Sequence, residues 1–308
     1  MNMPLTITSP VLAALVRDVC TLEVAAFKPG NVSVDCSGHG MTAQDFIASA
    51  EAAALPLTRA GLLVGERILG AIKATRASVG CNTNLGIVLL LAPLIDAAML
   101  NTPENDLRSR LHSVLLGLTI HDAVSAYEAI RLASPGGLGE SQRHDVNAIP
   151  QVTLLDAMRE AQSRDRIARQ YAEDYADVFL FGLPLLARTA SRWESEEWSV
   201  VAVYLAFLGA FKDTHVERKF GEQVAERISH EAAAMSEALQ DATDPQTVLP
   251  QLRQLDEQWK QAGINPGTSA DLTVATFFTR RLQDMLNDKI SDRTAVKAAG
   301  HYPRRALG

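Results

Sequence analysis

Three short polar clusters carry the side chains of this chain that are best suited to chemistry. The first contains Lys28, Gly30 and Asn31, with Glu23 before them and His39 after them. Lysine is a point charge suited to phosphate, glycine lets the backbone approach a ligand, and histidine titrates near neutral pH. These residue types predict a site for a phosphorylated ligand, in which Lys28 and Asn31 hold phosphate or ribose.

The second cluster, Asn82-Thr83-Asn84, directly precedes a strongly apolar run at 85–100. The N-terminus of a helix exposes unpaired N–H groups and binds anions readily. Asn and Thr are also common N-caps. Capping explains one of the three residues, so we expect the others to contact the ligand.

The third cluster, with Asp213, Thr214 and Arg218, follows another apolar run. A carboxylate is unfavourable at the C-terminus of a helix. Asp213 therefore indicates a Mg²⁺ ligand or a partner for Arg218, unless the helix has simply reached solvent. Asp271 follows a Pro-Gly turn and lies near a helix N-terminus, where an acid also fits a purely structural position.

Purely structural interpretations also stay open for the first cluster. Lys28-Pro29-Gly30-Asn31 is ordinary turn composition. Glu23 falls in the last turn of a helix, where glutamate is usually solvated, and His39 lies in a loop where histidine is often only polar surface. The first cluster indicates a site only when it is considered together with the second and third clusters.

Helical periodicity dominates the rest of the chain and predicts an all-α fold, a single multi-helix globular domain with a buried central helix and polar site loops at helix ends. We expect this domain at 1–290, a long loop at 134–150 and a loosely ordered tail at 291–308. The predicted helices span 10–26, 42–75 with a break or kink at Pro56, 85–100, 106–118, 121–133, 152–162, 165–190, 196–212, 221–239, 248–261 and 269–287.

Composition narrows the class of protein. The 308 residues are 47% hydrophobic with a net charge of -7, which argues against a nucleic-acid partner because phosphate backbones need clustered cations.

The three cysteines have no metal-type spacing and predict free thiols in a reducing cytoplasm. No signal peptide is visible, and the apolar run at 85–100 is shorter than the roughly 20 residues of a membrane span. We expect a cytoplasmic protein with no membrane partner, either a monomer or a homodimer.

The clusters occur in an order that resembles a known family. The order begins with Glu23, Lys28-Pro29-Gly30-Asn31 and Gly38-His39-Gly40-Met41, and continues with Asn82-Thr83-Asn84-Leu85-Gly86, Asp213-Thr214, Arg218, Asn265-Pro266-Gly267 and Ala270-Asp271-Leu272. Over about residues 10–285 the chain is similar to the triphosphoribosyl-dephospho-CoA synthase family. Phe27 replaces the first proline of the family's first motif, and Asn84 and Leu85 replace a histidine and a lysine in the second, as in a divergent branch.

The resemblance implies transfer of a triphosphoribosyl group from ATP to 3′-dephospho-CoA with release of adenine. It implies charge neutralisation of the triphosphate by Mg²⁺ and Lys28 with the helix end at 82–84, a general base at Glu23 or Asp213, and a proton for adenine from His39. It also implies that Thr214, Arg218 and Asp271 bind substrate. Two alternatives remain: a ribosyl or phosphoribosyl transfer in one-carbon, methanopterin-type cofactor biosynthesis, and a non-catalytic nucleotide-binding helical protein.

Overall fold

The computed structural model describes residues 6–102, 106–137, 139 and 143–299, with side chains up to residue 288. Within these ranges the chain is helical, and two isolated antiparallel bridges in the loop at 33–41 are the only β-type pairing. This confirms the predicted all-α class. The helices are α1 (Ser9–Ala25), α2 (Ala43–Thr58), α3 (Val64–Val79), α4 (Leu85–Met99), α5 (Leu107–Leu116), α6 (Ile120–Ala133), α7 (Leu154–Ala161), α8 (Arg166–Ala172), a π-helix (Asp177–Gly182), α9 (Leu183–Trp193), α10 (Glu196–Ala210), α11 (Thr214–Phe220), α12 (Glu222–Asp241), a 3₁₀-helix (Pro245–Val248), α13 (Leu249–Gln261) and α14 (Gly267–Ala299).

Helix α4 is the predicted central helix. It is apolar on every side, and all but a few of its residues are buried. Pro93 lies inside it and has no N–H to donate to the carbonyl of Leu89, four residues earlier. The hydroxyl of Tyr171 donates to that carbonyl over 2.6 Å, so a side chain from α8 replaces the missing backbone bond.

Helix α14 packs against α1, α4 and α10 and brings the two halves of the chain together. Its first turns lie beside the first turn of α4. This packing places the start of α14, the start of α4 and the end of α1 around one space, although they are far apart in the sequence.

The structure corrects three predicted boundaries. Pro56 lies inside α2 without ending it, and the break between α2 and α3 comes at 59–63. The helix predicted at 165–190 is divided by the π-helix, where Gly182 packs against Thr276 and Phe207. A short helix, α11, begins at Thr214 where the sequence analysis placed only a helix end.

The predicted division at residue 290 stays a prediction; α14 continues to Ala299, and 300–308 lie outside the described residues. Among the described residues no single helix is both long and apolar enough to cross a bilayer, and only the bent pair α10 and α11, taken together, reaches that length and hydropathy. The three cysteines are free thiols, as predicted.

Candidate active site

A pocket of about 550 Å³ opens where the helix ends converge. Its floor is formed by the end of α1 and the starts of α4 and α14. One wall comes from the loop before α8 and from α11, and the other from the inner faces of α6 and α7. The volume is in the range of small-molecule sites.

Asp271 lies on the floor of the pocket, against the first turn of α4. The carboxylate accepts a hydrogen bond from the backbone N–H of Ile87. It reaches that N–H because position 86 is glycine: a Cβ there would lie 1.9 Å from Asp271 Oδ2. The carboxylate therefore sits on the positive end of α4, where an acid is favoured.

The charges around Asp271 are mostly negative. Burial raises its pKa well above the usual carboxyl range, and the nearby acids Glu23, Asp213 and Asp165 raise it further. Only the bond from Ile87 acts in the opposite direction. A carboxyl group with a raised pKa in a pocket is suited to proton transfer near neutral pH.

Glu23, also on the pocket floor, is paired with Lys28. Lys28 Nζ lies 3.1 Å from Glu23 Oε1 and also donates to the backbone carbonyls of Glu23 and Ala26. All three of its protons are thus used within the protein, and the side chain is fully buried. Burial lowers the pKa of Lys28 while Glu23 raises it. Lys28 does not line the pocket and acts as the counter-ion of Glu23.

The rest of the first loop is held by the C-terminal half of the chain. Gly30 has φ +76°, and a Cβ there would lie 3.0 Å from both Pro266 and Trp259. Its N–H donates to Asp256 over 2.8 Å. Asn31 lines the pocket, and its amide donates to Asn265 over 2.9 Å.

His39 lies outside the pocket lining. Its Nε2 is 2.9 Å from the carbonyl oxygen of Gly30. Two histidines line the pocket, His144 and His215, and the Nδ1 of His215, on α11, approaches Gly267. Burial, together with Lys219, Arg218 and His39, lowers the pKa of His215 to about 4. Its ring is therefore neutral at pH 7 and acts as a hydrogen-bonding group.

The second predicted cluster lines the pocket in full. Asn82 Oδ1 accepts from the N–H of Leu85, so Asn82 is the side chain that caps α4. Thr83 donates to Ser49 over 2.6 Å. Asn84 is 7% exposed and its Nδ2 donates to Thr75 over 3.1 Å, while its Oδ1 is buried with no partner. An unpaired buried oxygen is costly, so it favours a ligand contact after a small side-chain movement.

The structure places the residues of the third cluster in different environments. Asp213 is not at a helix C-terminus: it is the N-cap of α11, where a carboxylate is favoured. Its Oδ1 accepts from the N–H groups of His215 and Val216, and its Oδ2 accepts from the N–H and hydroxyl of Ser269. It is buried and does not line the pocket, so this geometry does not favour Asp213 as a base or metal ligand, and that role stays a prediction.

Thr214 and Arg218 have different positions. Thr214 is buried, and its hydroxyl lies 3.2 Å from that of Thr268. Arg218 lines the pocket and donates to Asp165 Oδ2 and to the carbonyl of Gly136, each over 3.2 Å. Arg164 lines the same wall, which therefore carries two guanidinium groups.

Among the described residues, no group of three His, Cys, Asp or Glu side chains is arranged to hold a metal ion by itself. Mg²⁺ is commonly held by one or two carboxylates together with substrate phosphates. Glu23 and Asp271 provide two carboxylates at the pocket, so the donor set fits a shared site and does not fit an all-protein cage.

Comparison with known proteins agrees with this arrangement. The sequence model of the ATP:dephospho-CoA triphosphoribosyl transferase (CitG) family matches residues 10–290. The chain belongs to this family. No curated protein matches the chain. A crystal structure of a candidate triphosphoribosyl-dephospho-CoA synthase from Archaeoglobus fulgidus is 26% identical, with a TM-score of 0.61 over 77% of this chain and 98% of that one.

Membership of the triphosphoribosyl transferase family confirms the resemblance inferred from the motifs and makes the protein a transferase. The family reaction moves a triphosphoribosyl group from ATP to dephospho-CoA. The substrates are therefore small nucleotides.

Sequence reasoning missed several residues that line the pocket of this transferase. Arg164 and Asp165 both line the pocket, although charged residues of these types are ordinarily surface residues. Asp165 also caps α8, accepting from Ile167 over 2.8 Å, and an Asp before a new helical period was the available signal. His215 is adjacent to the predicted cluster and was passed over because nothing in its spacing distinguished it.

Proposed function

We propose that this pocket binds ATP as the donor and 3′-dephospho-CoA as the acceptor, with Asp271 as the general base. The observation that carries the proposal is the Asp271 carboxylate on the first turn of α4, in a pocket that has guanidinium groups on its far wall. A base and a site for a polyanion are the two requirements of this transfer.

The reaction replaces one bond at the anomeric carbon of the donor ribose. The C–N bond to adenine breaks, and a C–O bond to the 2′-hydroxyl of the acceptor ribose forms. The hydroxyl proton passes to Asp271, and the leaving adenine takes up a proton from solvent water, so that the exchange is balanced once Asp271 returns its proton to solvent. The transition state has oxocarbenium character, as in glycoside cleavage.

Two charge patterns suit this transition state. Glu23 is an acid on the pocket floor whose charge is matched by Lys28. It can stabilise positive charge at the anomeric carbon. Arg218 on the pocket wall suits the triphosphate of the donor, because guanidinium groups bind phosphate oxygens in a bidentate manner.

Mg²⁺ would be held by Glu23 together with triphosphate oxygens, which leaves Asp271 free to act as the base. When bound, it neutralises phosphate charge and orients the triphosphate. Neutral His215 would hold the leaving adenine by a hydrogen bond, which replaces the proton-donor role predicted for His39. The unpaired Asn84 Oδ1 would accept from a ribose hydroxyl.

The test is acceptor-dependent adenine release. The protein is incubated with ATP, Mg²⁺ and 3′-dephospho-CoA; adenine is followed by chromatography and the adduct by mass spectrometry. We expect both products, and neither with Asp271→Asn. Adenine release that requires a pterin-type acceptor and ignores dephospho-CoA would overturn the acceptor, and tight ATP binding with no adenine release would overturn catalysis.

A further inference from the structure

One wall of the pocket is apolar, although both substrates of the family are polyanions. Helix α7 contributes four side chains to it at positions i, i+3, i+4 and i+7, which we call the α7 stripe: Leu154, Ala157, Met158 and Ala161. This spacing places them on one face of the helix. The opposite face is charged, with Asp156 and Arg159 about half exposed.

Helix α7 packs mainly against α6 and α8, and its stripe borders the pocket. Neighbouring elements continue the apolar surface with Leu89, Ile130 and Ile167. Phe46 and Tyr127 are aromatic residues of the lining, and neither belongs to the stripe. The stripe is therefore an aliphatic surface without the flat rings on which a base stacks.

A cation lies at one end of the stripe. Ala161 at the end of α7 is followed within a few residues by Arg164, which lines the same pocket. From Ala161 back to Ala157 the stripe extends about 6 Å, at 1.5 Å per helical residue. Leu154, beyond Ala157, is fully buried and supports the stripe from behind. A guanidinium group followed by an aliphatic surface is complementary to an anion that carries a flexible, largely aliphatic chain.

We infer that the α7 stripe binds the pantetheine arm of the acceptor, with the acceptor diphosphate at the Arg164 end. The inference rests on the proposed function for the identity of the acceptor. Dephospho-CoA is ADP esterified with pantetheine, so ADP is the same molecule without the arm. The stripe would then distinguish the acceptor from ATP and other adenine nucleotides, which have no group to cover it.

The experiment compares the dissociation constants of dephospho-CoA, ADP and ATP by isothermal titration calorimetry. Burying one methylene group favours binding by about fourfold, so wild type is expected to prefer dephospho-CoA over ADP by more than about tenfold. Met158→Gln, which keeps the side-chain length, and Ala157→Phe, which fills the stripe, are expected to reduce this ratio at least about fourfold. Binding of ADP and ATP is expected to be unchanged.

Arg159→Gln on the outer face of α7 is the matched control and is expected to keep the wild-type ratio. Unchanged ratios in both stripe variants would overturn the inference, and so would equal affinities of wild type for dephospho-CoA and ADP. Parallel weakening of ADP and ATP would place adenine on the stripe instead. Failure of the proposed function would give a different result: the wild-type protein would retain the affinity ratio but would release no adenine.

Discussion

The Asp271 carboxylate occupies the space that any side chain at position 86 would need. A Cβ on Gly86 would lie 1.9 Å from Asp271 Oδ2 and 2.5 Å from its Cγ. These two residues join the start of α14 to the start of α4. The glycine in the second polar cluster is thus explained by the position of an acid far away in the sequence.

Gly86→Ala is expected to lower kcat/KM for adenine release by at least about 100-fold, because displacement of a reacting group by about 1 Å costs that much. The free energy of unfolding is expected to fall by about 1–3 kcal/mol from overpacking. Gly70→Ala in α3 is the control: its Cβ would meet Pro56 at an ordinary 3.4 Å. Wild-type activity in Gly86→Ala would show that Asp271 need not lie against α4.

Asp271→Asn is expected to lower kcat by about 10²–10⁴-fold, the usual contribution of a general base. In wild type, kcat/KM is expected to rise with pH as Asp271 ionises, and because its pKa is raised, this limb lies above the usual carboxyl range. The measurement is the pH profile of adenine release. An acid limb that persists unchanged in Asp271→Asn would assign it to another group.

The same substitution is expected to stabilise the fold at neutral pH. Because the pKa of Asp271 is raised in the folded state, the native protein holds this proton where the unfolded chain has lost it. Stability from this group is complete below the unfolded pKa and is lost as pH rises through the folded pKa. The Asp271→Asn variant has no group to ionise here and does not lose this stability. The Tm of the variant should therefore exceed the Tm of wild type at pH 8 and match it at pH 4. A lower Tm at both pH values would contradict the assigned shift.

Lys28→Met tests whether this lysine is a counter-ion or a phosphate ligand. Removal of one partner of a buried ion pair costs about 3–5 kcal/mol, so we expect a large loss of unfolding free energy in urea. Lys73→Met is the control, because Lys73 and its partner Glu128 are about half exposed and such pairs contribute at most about 1 kcal/mol. Unchanged stability with a raised KM for ATP would restore the phosphate role.

Tyr171→Phe is expected to destabilise the protein by about 1–3 kcal/mol, because it leaves the Leu89 carbonyl without a donor inside the core. Pro93→Ala restores an N–H four residues after Leu89. The cost of Tyr171→Phe should therefore be smaller in the Pro93→Ala background, as measured by a double-mutant cycle. Additive effects would show that the hydroxyl does not replace the missing backbone bond.

Local patterns in the sequence determined the class of fold and the family. The apolar run at 85–100 defined the central helix, because a helix that is apolar on all sides must be buried. The polar residues before it line the pocket, and the ligand contact that helix N-terminal chemistry indicates for them stays a prediction. Residue type and order also identified three further site candidates that line the pocket, Glu23, Asn31 and Arg218, although their roles stay predictions.

Only the tertiary structure decided which polar side chains meet the ligand and which meet each other. Lys28 and Asp213 have the chemistry of site residues, yet protein groups use all of their hydrogen-bonding capacity. Asp271 was predicted to bind substrate from the order of the motifs, but only packing placed its carboxylate against α4. The reason is physical: residue type limits what a side chain can bind, but partners and burial depend on contacts between helices that are distant in the sequence.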